Sequence, residues 1–163
     1  RAVTAAVIAQ DFSMAADAGW AYTQCDVAII CPPTAVMDIQ LQRRVLAAQL
    51  RSVRPDGIAI VTPSCPDIES LALTCQGQVM WVDTDENHPV LQAHRRMGGR
   101  IAFVRDGGVV CVQDGREQRL AITAAQSAGE ADTSPHEWLA MAAACWTLEA
   151  VLPTQQVQPV ALI

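Results

Sequence analysis

VMWVDTDENHPVLQAHRRMGGRIAFVRDGGVVCVQDG, residues 79–115, is the stretch in which the fold changes its rhythm. Val79 to Val82 is a short apolar run of strand length, and His88 to Met97 reads as a helix that stops at Gly98-Gly99. From Arg100 the pattern is different. Arg100 to Val104, Val109 to Gln113 and Gln118 to Ile122 are three short strands. Asp106-Gly107-Gly108 and Asp114-Gly115 separate them, and Asp-Gly between apolar runs is a strong hairpin signal. An antiparallel meander is therefore expected after Gly99.

Upstream, strand and helix alternate, which is the mark of a parallel sheet with crossover helices. Ala2 to Ala9 and Asp26 to Cys31 are apolar runs of strand length, and Ser13 to Trp20 makes a brief helical turn closed by Gly19. Asp38 is placed to N-cap the segment IQLQRRVLAAQLRSV, where Ile39, Val45, Leu46 and Leu50 share a face. Pro55-Asp56-Gly57 reads as a turn before the strand Ile58 to Val61. Ser64 or Pro66 opens a second helix through Leu73, with Gly77 near its end. Downstream, residues 124–133 form a small-residue loop. Ser134 with Glu137 is a capping-box pair, and Pro135 suits the first helical position. The last helix carries Trp138, Leu139, Ala142 and Trp146 at helical spacing. The expected organisation is α/β: a parallel part over 1–99, a meander and helix of the same domain over 100–151, and an irregular tail over 152–163. There is no internal repeat.

Composition narrows the functional classes. The chain has 163 residues, is 51% hydrophobic and carries a formal charge of −6. That charge, with no basic run and no aromatic ladder, argues against a nucleic-acid groove. No apolar stretch approaches the ~18 residues of a membrane span. The opening RAVTAAVIAQ lacks the layout of a signal peptide. It begins without Met, and we read the sequence as a piece of a longer chain. The six cysteines form no CxxC pair, so zinc spacing and a disulfide framework are not expected; reduced, cytoplasmic thiols are.

All eleven basic residues are arginines; there is no lysine. This excludes a Walker phosphate loop, whose Lys reaches the terminal phosphates, and any Schiff-base or general-base lysine in these residues.

The remaining candidates are few. His88 lies in the acidic turn DTDENHPV, which lacks EF-hand spacing and reads as a solvated loop capping the next helix. His94, Arg95 and Arg96 sit together on what reads as an exposed helix face. With Arg100 and Arg105 nearby they form either an anion patch or a solvated face. His136 reads as a first-turn helix residue. Cys31 and Cys65 follow predicted strands, where loop chemistry belongs, but neither loop offers a base or cation to activate a thiol. Ser13 and Ser64 lack GxSxG surroundings. No catalytic, cofactor or metal constellation emerges from the residues, and Arg95 and Arg96 are left as the contacts for an anion or polymer.

CDVAII (25–30), SVRPDGIAIV (52–61), the stretch 83–120 and LAMAAACWTLEAV (139–151) together resemble the C-terminal, Mur-ligase-like part of cyanophycin synthetases. In that family this domain uses ATP to add an amino acid to an aspartate–arginine polymer, and a separate ATP-grasp domain adds the other. The resemblance implies a Rossmann-type parallel sheet followed by a meander and a helix. It also locates losses. A metal-binding Glu begins a family stretch Glu-Thr-Ala-Arg-Gly-Gly, where this sequence reads Ala9, Gln10, Asp11, Phe12, Ser13, Met14. The family's Thr-Asn and Asp-His pairs fall on Cys31-Pro32 and Val36-Met37. Its Asn-Ala-Asp-Asp-Pro falls on Thr62-Pro63-Ser64-Cys65-Pro66, and an Asn before the last helix falls on His136 or Glu137.

Each loss touches a loop that would meet nucleotide or metal, while scaffold positions remain. The resemblance thus narrows to the second, dipeptide-polymerising type of cyanophycin synthetase, with a degenerate Mur-like domain. It implies a non-catalytic domain with a structural or oligomerisation role, partnered by the parent ligase's other domains and by copies of itself. ATP and Mg would belong to the parent, whose ATP-grasp domain would polymerise β-aspartyl-arginine. Two alternatives stand beside it. One is part of an active ATP- and Mg-dependent Mur-type amide ligase. The other is a module that holds the aspartate–arginine polymer through Arg95, Arg96 and the acidic turn from Asp83 to Glu86.

Overall fold

A computed structural model describes residues 7–31, 38–65, 67–123 and 134–151. It is an α/β fold with one six-stranded mixed sheet and, among the described residues, five helices. The strands are β1 (Cys25–Ile30), β2 (Val53–Val61), β3 (Gln78–Asp83), β4 (Arg100–Arg105), β5 (Gly108–Gln113) and β6 (Arg116–Thr123). They lie side by side in chain order. β1 to β4 are parallel, and β4, β5 and β6 are antiparallel. β4 is the pivot: read from sequence as the first strand of the meander, it also pairs parallel with β3 through Met80–Arg100 and Asp83–Phe103.

The helices are α1 (Phe12–Ala18), α2 (Ile39–Ser52), α3 (Ile68–Ala72), α4 (Pro89–Arg96) and α5 (Pro135–Val151). Asp38 caps α2 as expected, accepting from the N–H groups of Gln40 and Leu41. Crossovers of one hand taken in one direction place successive helices on the same face. Leu46 and Leu50 of α2, Ile68 and Ala72 of α3 and Leu91 of α4 accordingly pack with Ala28, Ile30, Ala59, Val61, Trp81, Ile101 and Phe103 on one face of the sheet. Alternate residues of the same strands, Ile58, Ile60, Met80, Val82, Ala102, Val109 and Cys111, meet α5 on the other. This is the period-two alternation of a sheet buried on both sides.

Four expectations need correction. Val7 to Ala9, the described end of the first predicted strand, form no strand, and Val7 is 93% exposed. Gln10 ties this segment to the residues after the first helix instead: its amide donates to Gly19 O (2.6 Å) and accepts from Ala21 N (2.9 Å). Ile39, placed on the apolar face of α2, is half exposed in its first turn.

Pro55-Asp56-Gly57 is not a turn ahead of a strand but a bulge within β2. β1 pairs Cys25 with Val53 and next Val27 with Ile58. A Cβ on Gly57 would stand 2.6 Å from Asp26 O, and one on Gly77 would stand 2.5 Å from Gly57 O, so three backbones converge where only glycine fits. The fourth correction concerns His94. Its Nε2 lies 3.0 Å from Val79 O, and its ring covers Gly99 so closely that a Cβ there would collide with it. It is packed against the sheet, not displayed beside Arg95 and Arg96.

Candidate functional site

In open parallel sheets, function gathers at the carboxyl ends of the strands, most often where the strand order reverses. Among the described residues this order does not reverse. The carboxyl edge is nonetheless where the polar groups concentrate. Cys31 follows β1, Thr62 to Cys65 follow β2, Asp83 ends β3 and Thr84 to His88 follow it, and His136 and Glu137 come from the first turn of α5.

Several of these groups have partners within the chain. Thr62 is fully buried, and its hydroxyl donates to Ile30 O at 3.1 Å, tying the ends of β1 and β2. The turn from Thr62 to Cys65 is closed by Cys65 N to Thr62 O at 3.3 Å. Asp83 is 8% exposed; its Oδ1 accepts from Asp85 N, and its Oδ2 lies 3.8 Å from His136 Nε2. The acidic turn continues with local bonds: the exposed Asp85 accepts from Asn87 N, and His88 Nδ1 accepts from Val90 N at the N-cap of α4. His88 is thus the cap that its sequence position suggested. Glu137 accepts from Ser134 N while its own N–H donates to Ser134 Oγ, completing the expected capping box.

The thiols are quiet. Burial, with the nearby Glu137 charge added, pushes Cys31 up to about 11, and burial with the neighbouring Cys31 does the same to Cys65. A nucleophilic cysteine needs the reverse environment, one that favours the thiolate. Among the described residues, no group of three or more His, Cys, Asp or Glu is placed to hold a metal ion.

The two arginines singled out by sequence part company. Arg95 Nη2 is held by Glu117 Oε1 at 2.7 Å, across from β6. Arg96 is exposed, and its Nε donates to Gln92 O of its own helix. Arg105 completes a network that sequence reading missed, with Nε on Glu86 and Nη1 on Glu117 at 2.7 and 2.8 Å. The hydrogen bonds Arg105 donates to Glu117 and then Glu86 hold it more firmly in its charged form, and Arg105, with Arg95, lowers Glu117 below the usual carboxylate range. Two acidic residues and two arginines thereby join the acidic turn, α4 and the meander. Only the hairpin register, which aligns Gln113 with Arg116 and Val112 with Glu117, brings Glu117 there.

At the positions matched to the metal-binding stretch, Asp11 N-caps α1 through Ser13, and Gln10 clamps the turn after it. The positions Pro32, Val36, Met37 and Pro66 lie outside the described residues. No helix among the described residues is long and apolar enough to cross a membrane. No protein-family model matches the chain, and no curated protein matches it either.

Proposed function

We propose that this chain is a non-catalytic, Mur-ligase-like domain that serves as a structural and oligomerisation unit in an ATP-dependent peptide ligase of the cyanophycin synthetase type. The observation that carries the reading is the commitment of the carboxyl edge. Asp83, Asp85, Glu86, His88 and Glu137 are spent on caps, turns and ion pairs, and the two thiols there are raised by burial.

Magnesium with a nucleotide asks for carboxylates, waters and phosphate donors converging on one point. The residues at the matched positions do not fit it: Ala9 has no donor, Gln10 is taken by Gly19 and Ala21, and Asp11 caps a helix. No step of catalysis is therefore assigned to this chain. ATP, Mg and the joining of β-aspartyl-arginine are assigned to the ATP-grasp domain of the parent. The partners are that parent's other domains and further copies of the chain, in the cytoplasm. Polymer holding through Arg95 and Arg96 is the weaker reading, because Glu117 already neutralises Arg95.

Two measurements test the proposal. Titration calorimetry of this chain with Mg-ATP is expected to show no binding. Removing the domain from the parent ligase is expected to lower the mass of its oligomer while nucleotide binding by the remainder persists. Magnesium-dependent ATP binding to this chain, or an undiminished oligomer after deletion, overturns it.

A further inference from the structure

We draw no further inference here: the strongest candidate, the outward strip of α5 that carries the exposed Met141 and Cys145, carries nothing because nothing in the structure shows what covers it.

Discussion

The two faces of the sheet are closed by different means. On one, α2, α3 and α4 each enter and leave through strands they cover, so every helix is tethered at both ends by short connections. On the other, α5 is the one helix among the described residues, and it crosses the sheet from His136 beside Asp83 to Trp146, whose Nε1 donates to Gln118 of β6 and whose ring lies beneath the Arg100 guanidinium. Its Ala140, Ala142, Ala143 and Ala144 are buried, small enough to let the helix lie close to the strands, with Trp138 and Trp146 towards its ends. Chain connectivity helps to hold the first face together; the second depends on the packing of one helix. The faces should therefore open with different cooperativity.

Cavities give the largest effects. Phe103 is fully buried in the first face and Leu139 in the second. Phe103→Ala is expected to cost about 3–5 kcal/mol and Leu139→Ala about 2–5 kcal/mol. The distinction lies in the shape of the loss. In urea titrations, Phe103→Ala should lower a single transition. Leu139→Ala, made together with Trp20→Phe and Trp81→Phe so that fluorescence reports only Trp138 and Trp146, should separate tryptophan fluorescence from the circular dichroism of the sheet. Coincident transitions in both variants would show that the faces form one cooperative unit.

Caps follow at a smaller scale. Asp38 closes the N-terminus of α2, and Ser134 closes that of α5. Replacing either by Ala is expected to cost about 1 kcal/mol. For α2 the loss should be felt globally. For α5 it should surface as faster amide exchange confined to that helix. Equal exchange throughout both variants would remove the distinction.

These caps belong to the part of the fold that sequence could announce, because their chemistry is complete within four residues. The same holds for the hairpins: Asp106 and Gly107, and again Asp114 and Gly115, adopt the positive φ angles that an Asp-Gly turn between strands requires. What stayed hidden depends on distant partners. The Pro55–Gly57 bulge exists because Asp26 O and Gly77 crowd it from other segments. His94 could not be seen to face Val79, nor Arg95 to face Glu117, until the sheet order put α4 against β3 and β6 within reach. At the candidate site, sequence located the edge residues after each strand. Their engagement within the chain, Asp83 accepting from Asp85 N and Arg105 pairing with Glu86 above all, is a property of the assembled edge.

The finest test of the two faces uses the protein's own thiols. Cys65 is buried in the first face and Cys111 in the second, while Cys145 is exposed on α5. Burial pushes Cys65 up to about 11, with Cys31 nearby, and Cys111 to about 12. At neutral pH both are therefore protonated as well as covered, and each should react with a thiol reagent only when its face opens. Cys145 is expected to label within the mixing time. Cys111 should follow ahead of Cys65, because undocking α5 uncovers it without disturbing the tethered helices. Leu139→Ala should widen that interval, speeding Cys111 by at least about tenfold, since ~1.4 kcal/mol is a factor of ten in an opening equilibrium. Cys65 should change much less. Mass spectrometry of labelled peptides resolves the order, and equal acceleration of Cys65 and Cys111 would mean that α5 does not open by itself.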